Sequence, residues 1–341
     1  MRCGMPTRAR TGESAWSANS NLPHETVSKR IAIIGCGSIG GLYAAHLARV
    51  AEVWVFARRT EQARALEERG LRVSGIHDFR VPLRATADPA ALPPCDFGIV
   101  ATKALQTAEA FTPVARQFDQ GAVLSAQNGL GGEEILAGLT KGYVIRGTTF
   151  MSGTRESDTQ VRYELDTATW MGPFEPTATP FARVEELAGL MTAGGLKAVA
   201  LEDARPAQWS KLLFNAAVNG VSALTGLPHT REFADRSERA SLGNLLFALL
   251  AEGKQVAARL GIALQDDPWE MNRIGAQTDH PPSMLHDVEC RQPTEIEFLA
   301  GAVAREAARA GVAAPLHTAI YQLVKGKEAS WRAGGAGSGG H

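Results

Sequence analysis

The chain has 341 residues, 45% of them hydrophobic and 21% charged, with a formal net charge of −1. That length suits about two domains, and the composition is that of an ordinary globular protein. The near-zero charge leaves no electrostatic footprint for nucleic acid or an anionic membrane, and no apolar run reaches the ~20 residues of a bilayer-spanning helix.

Residues 1–29 are rich in Ser, Arg, Thr, Asn and Gly and lack periodicity. They read as a disordered extension. They contain no apolar h-region, so no secretory signal is read and a cytoplasmic location is expected. Cys3, Cys36, Cys95 and Cys290 are widely scattered. No pair has metal-ligand or redox spacing, which fits a reducing compartment and predicts no metal centre.

From residue 30 the pattern changes. Arg30–Ile34 is a β-run leading into a glycine turn, and Ile39–Val50 is helical. Val53–Phe56 is the next strand, and Gln62–Arg69 a helix. Phe97–Ala101 and Ala122–Ser125 are buried strands, each followed by a helix, near Leu105–Phe118 and Glu133–Leu139. Strands alternating with helices predict a parallel sheet covered on both faces. Tyr143–Met151, Gln160–Leu165 and Ala168–Met171 read as strands of an antiparallel extension to that domain, followed by a helix at Arg183–Met191 and a strand at Lys197–Leu201. Beyond Pro206 β-runs disappear, and helices are expected at Ala207–Leu224, Ser241–Leu260, Glu295–Ala310 and Leu316–Lys327. The expected organisation is a disordered segment 1–29, a dinucleotide-binding domain 30–205, a helical substrate and catalytic domain 206–328, and a flexible tail 329–341.

Gly35-Cys36-Gly37-Ser38-Ile39-Gly40 matches G-x-G-x-x-G between a strand and a helix, the context that gives this short motif meaning. Gly35 permits the tight turn, Gly37 lets backbone approach a pyrophosphate, and Gly40 allows close helix–strand packing. The free N–H groups at the helix start suit the phosphate charge. The second strand ends Phe56-Ala57-Arg58-Arg59, with no carboxylate before Glu61. An NAD site usually places Asp or Glu there for the ribose hydroxyls, whereas an arginine suits the 2′-phosphate of NADP. The expected cofactor is NADPH, with Arg58 the first choice of contact and Arg59 the second. Open parallel sheets bind ligands beyond the carboxyl ends of their strands. Lys103, in Thr102–Gln106, and Asn128, in Gln127–Gly131, belong to loops at those ends; each is also an ordinary turn or cap residue.

The helix Trp209–Asn219 carries Lys211, Asn215 and Asn219 at a spacing of four in an otherwise apolar run. Positions four apart drift by about 40° around a helix, so the three form one polar stripe. Such groups facing an interior need partners. The stripe reads as the polar wall of a ligand cleft, with Lys211 the group able to give up a proton; the alternative is a solvated surface stripe.

Together these pieces resemble the ketopantoate reductase (2-dehydropantoate 2-reductase) family over about residues 30–328. The resemblance rests on Gly35–Gly40, Thr102–Gln106, Gln127–Gly131, the Lys211/Asn215/Asn219 helix, and Ser283-Met-Leu-His-Asp287 followed by Thr294-Glu295-Ile296. It implies a Rossmann-type doubly wound α/β domain followed by an all-α domain like the C-terminal domain of 6-phosphogluconate dehydrogenase. It implies NADPH-dependent reduction of ketopantoate to pantoate in pantothenate biosynthesis. In that reading Lys211 is the general acid, while Asn128, Asn215, Asn219, Ser283 and His229 contact the substrate. Glu295 contacts the cofactor or supports the lysine, and Lys103 and Asn128 face the cofactor. Glu295 and Ser283 are also suited to helix N-termini.

The chain departs from the family at Gly220, often Pro, and at His229, often an Asn that reaches the substrate; His280 precedes the substrate serine. These departures leave the identity of the 2-oxo acid open. The expected partner is a small 2-oxo acid, with a homodimer compatible with the apolar helices. The other hypotheses are a reductase of a different oxo acid and a non-catalytic NADPH-binding redox sensor.

Overall fold

The computed structural model describes residues 29–278 and 281–335. Its strands are β1 (Arg30–Ile34), β2 (Glu52–Phe56), β3 (Leu71–Gly75), β4 (Phe79–Val81), β5 (Arg84–Thr86), β6 (Phe97–Val100), β7 (Ala122–Ser125), β8 (Tyr143–Thr149), β9 (Ser152–Ser157), β10 (Gln160–Leu165), β11 (Thr169–Pro173) and β12 (Ala198–Ala200). The helices of the first half are α1 (Ser38–Leu47), α2 (Thr60–Arg69), α3 (Thr107–Phe111), α4 (Gly132–Ala137) and α5 (Phe181–Ala193). Those of the second half are α6 (Arg205–Thr225), α7 (Ser241–Arg259), α8 (Pro268–Gly275), α9 (Ser283–Glu289), α10 (Ala300–Ala310) and α11 (Pro315–Gly335).

The larger sheet has the order β12-β11-β8-β7-β6-β1-β2-β5. Its members β5, β2, β1, β6, β7 and β8 run parallel. β6 and β7 are buried at every residue, as strands covered on both faces must be. Apolar clusters pack on the two faces, one around Leu42, Leu66 and Ile99, the other around Phe111, Val114 and Phe118. The chain passes from β1 to β2 on one side and later returns to place β6 on the other. A crevice therefore opens beyond the carboxyl ends of β1 and β6, where a doubly wound sheet binds its ligand.

The helical half is organised around α6, which touches α7, α8, α9, α10 and α11. At Gly220, a Cβ would come within 2.4 Å of the Ile320 side chain on α11. The departure at this position is thus a close helix crossing and does not bear on the cleft. Among the described residues no helix is long and apolar enough to cross a membrane.

Three expectations need correction. Gln160–Leu165 does not extend the main sheet: β10 pairs in parallel with β3 and antiparallel with β9, forming a second sheet of order β4-β3-β10-β9. Its members β3, β4 and β9 are short, and β9 (Ser-Gly-Thr-Arg-Glu-Ser) has no apolar alternation to reveal it. The helix expected at Leu105–Phe118 is broken into a 3-10 turn, the short α3, and a further 3-10 segment beginning at Thr112. Pro113 has no N–H to donate and its ring crowds the preceding turn. Finally, α11 does not end near residue 328 but runs to Gly335, with Trp331 packed against the helical core. The expected extension up to residue 28 and the tail from 336 lie outside the described residues.

Candidate active site

The glycine turn joins β1 to α1. Gly35 has φ +94°, and a Cβ there would strike Thr102 at 2.6 Å, so both turn geometry and the neighbouring loop demand glycine. At Gly40 a Cβ would lie 1.9 Å from the Gly35 carbonyl oxygen. At Gly37 a Cβ would meet nothing within 4 Å. The three glycines thus divide as the motif requires: one for the turn, one opening onto free space, one for packing. Gly37 is the N-cap of α1 and no side chain caps that terminus, so the first N–H groups of Ser38, Ile39 and Gly40 are left for a ligand. Cys36 is buried in the turn, and burial pushes its thiol up to about 12, which removes it as a nucleophile.

Arg58 and Arg59 follow β2 and are both exposed. Arg59 pairs with Asp158 at 2.5 Å. Arg155 reaches the same carboxylate at 3.0 Å, and its backbone N–H donates to Ser38 Oγ at 3.1 Å. The β9–β10 turn therefore lies against the glycine turn. Arg58 has no protein partner among the described residues, which leaves it the available cation at the end of β2.

Lys211 sits on α6. From Ala207 to Ala223 every residue of α6 is buried except Lys211, Phe214 and Asn215. That window holds an ammonium, a phenyl ring and an amide. The Lys211 ammonium donates to Asn128 Oδ1 at 2.8 Å and to the Thr149 carbonyl oxygen. It also lies 5.3 Å from the centre of the Phe150 ring. An ammonium has three N–H donors, so one remains uncommitted. Burial draws the Lys211 pKa down to about 8, against an opposing pull from the Glu295 carboxylate.

Glu295 is itself buried, and burial raises its pKa. Its carboxylate accepts the Ala104 N–H at 2.8 Å, and hydrogen bonding from Asn128 favours its charged form. Asn128 therefore bridges Lys211 and Glu295, oxygen toward one and amide nitrogen toward the other. Two loops of the parallel sheet thereby meet two segments of the helical half at one point. Gln127 holds the two loops together, donating to the Thr102 carbonyl at 3.1 Å and to Thr107 Oγ1 at 2.7 Å. The N–H of Leu130 donates to the Phe298 carbonyl at 3.0 Å across the same junction.

Other expected site residues have different surroundings. Lys103 pairs with the buried Asp287 of α9, so it is a clip between the halves of the molecule rather than an unengaged cation. Asn215 has no protein partner among the described residues and stands free in the window. Asn219 is buried and its Oδ1 accepts from Met284 N–H at 3.2 Å, with Ser283 Oγ at 3.5 Å. It therefore secures the start of α9, which presents the exposed Ser283. Ser283 is not an N-cap; Pro282 holds that position. His229 is buried between Phe214 and Phe233, with Nε2 2.9 Å from Asn272 Oδ1. That bond, in an aromatic enclosure, gives the ring a packing role in place of the expected substrate contact. His280 lies outside the described residues.

Sequence reasoning missed Thr149, Phe150, Phe214 and Gln208. Thr149 acts through its carbonyl, which carries no side-chain signal. Gln208, one turn before Lys211, donates to Glu133 at 2.7 Å and accepts from Arg146 at 2.8 Å, anchoring α6 to the sheet. A buried glutamine in an apolar helix was its available signal.

The family described as "Ketopantoate reductase PanE/ApbA" matches residues 31–176, and its C-terminal counterpart matches residues 203–328. The 2-dehydropantoate 2-reductase of Archaeoglobus fulgidus is 29% identical over 301 residues, covering 88% of this chain and 98% of that protein. That of Pyrococcus abyssi is 27% identical over 303 residues, with 88% and 98% covered. A crystal structure of 2-dehydropantoate 2-reductase from Geobacter metallireducens superposes with TM-score 0.73 at 29% identity, over 87% of this chain and 99% of that one. D-mandelate dehydrogenase, solved with NADH and anilino(oxo)acetate, shares the fold at TM-score 0.77 and 22% identity, over 88% and 99%. The chain belongs to the ketopantoate reductase family and is an oxidoreductase.

Proposed function

We propose that this member of the family reduces a 2-oxo acid to the 2-hydroxy acid with NADPH, with Lys211 as the proton donor. Ketopantoate, whose reduction would serve pantothenate biosynthesis, is the first substrate to test. The carrying observation is the half-enclosed Lys211 ammonium, with two N–H donors committed to Asn128 and Thr149 and one turned loose in the α6 window.

The residues present fit a dinucleotide. Gly37 opens onto free space at an uncapped helix start, so the turn Gly35–Gly40 would hold the pyrophosphate, and Arg58 the 2′-phosphate. When bound, NADPH supplies the hydride; the protein supplies orientation and electrostatics. As negative charge develops on the ketone oxygen, Lys211 donates its proton there and is left neutral. A pKa near 8 keeps the lysine mostly protonated at neutral pH yet able to yield its proton. Asn215 and Ser283 are the free polar groups for the substrate carboxylate and carbonyl. A pure redox sensor would not require a proton donor held in this way.

The test is NADPH consumption with a panel containing ketopantoate and other 2-oxo acids. Turnover is expected; tight NADPH binding without turnover of any member would reject the reductase reading. Arg58→Ala should raise the KM for NADPH on the order of tenfold, from the loss of charge-assisted hydrogen bonds at an exposed site. NADH should change little. Equal effects on both cofactors would remove Arg58 from the 2′-phosphate.

A further inference from the structure

Three large aromatic rings lie in sequence beside Lys211, and all three are incompletely buried. Phe214 shares the α6 window with the lysine. Phe150 lies 6.2 Å from Phe214, ring centre to ring centre, and Trp170 lies 6.5 Å from Phe150 on its other side. Their planes meet at 63° and 79°, the edge-to-face geometry that leaves ring faces available to a further aromatic group. The Lys211 ammonium is set against the Phe150 ring, so one end of this row touches the proton donor. Beyond Phe214, the His229 ring continues the apolar wall, with its Nε2 bonded to Asn272.

Ketopantoate carries a hydroxyl at the end of its side chain, and a hydroxyl moved out of water needs a partner. The row of rings provides none. The polar groups of the window, Lys211 and Asn215, are already required by the oxo-acid head. An aryl side chain, by contrast, leaves no polar atom unpaired and gains ring-to-ring contact.

We infer that Phe214, Phe150 and Trp170 form an aromatic side-chain pocket beside Lys211, and that it takes 2-oxo acids bearing an aryl group. This rests on the reductase reading above. The reaction is unchanged: the carbonyl π bond breaks, the carbon gains a hydride from NADPH, which is oxidised to NADP+, and the oxygen gains the Lys211 proton.

The experiment compares kcat/KM for benzoylformate, ketopantoate and pyruvate with NADPH, with NADPH binding followed separately by its fluorescence. Benzoylformate is expected to exceed pyruvate by at least tenfold, the scale on which an apolar pocket discriminates. Phe214→Ala should lower the benzoylformate-to-pyruvate ratio about tenfold or more. Trp170→Leu should lower it in the same direction and serves if Phe214→Ala does not fold. Turnover of ketopantoate or pyruvate with benzoylformate no better than pyruvate would overturn the aromatic pocket and leave the reductase standing. An unchanged ratio in both variants would do the same. NADPH binding without turnover of any acid would overturn both readings together.

Discussion

Replacing Lys211 by alanine is expected to lower kcat for 2-oxo-acid reduction by about 10²–10⁴-fold, the usual contribution of a positioned general acid. NADPH affinity should stay nearly unchanged. The glycine turn and Arg58 belong to other loops, and Lys211 is committed to Asn128 and the Thr149 carbonyl. Arginine should not rescue the variant, because a guanidinium does not release its proton in a protein. The pH profile carries the same argument. The active lysine is the protonated form, so activity is present below its pKa and falls as pH rises through about 8. Single-turnover rates with saturating NADPH, across pH 6 to 10, test this directly. A Lys211→Ala enzyme as fast as the parent would exclude the assignment.

The legibility of this site from sequence follows the geometry of α6. A residue four positions on drifts by about 40°, and one eight positions on by about 80°. Asn215 therefore stays beside Lys211 in the window, whereas Asn219 turns away to the start of α9. Phe214, three positions on, lies about 60° to the other side of the lysine and shares the opening, yet its apolar character made it read as core. The parallel sheet was legible because its strands are buried on both faces and read as apolar runs. The small sheet was not, because β9 is polar and mostly exposed and β3 and β4 are short. Cross-chain partners such as Asn128 with Lys211, or Ala104 with Glu295, depend on which loops the fold brings together. Local spacing contains no record of that. The resemblance supplied those residues as a set, and the geometry separates them into a working group around Lys211 and a supporting group around Asn219, Asp287 and His229.

Glu295→Gln should reduce kcat/KM by tens-fold and move its alkaline limb to lower pH. Two effects act in the same direction. The Glu295 charge opposes the burial that lowers the Lys211 pKa, so removing it lets that pKa fall further, and less lysine is protonated at any pH near 8. Glutamine also has one acceptor oxygen where the carboxylate has two. The Ala104 N–H and the Asn128 amide both draw on this group. If Asn128 turns over to find a partner, its NH2 faces the Lys211 ammonium, and the 2.8 Å bond that holds the lysine is lost. A buried donor left unpaired costs about 1–3 kcal/mol, which is roughly 5–150-fold in rate when felt in the transition state. The measurement that separates this from simple destabilisation is the pH profile. A loss of activity with the alkaline limb unmoved would mean that Glu295 only braces the Ala104 loop. A limb moved to lower pH means that the carboxylate acts through the lysine, and that the junction of the two halves sets the acidity of the proton donor.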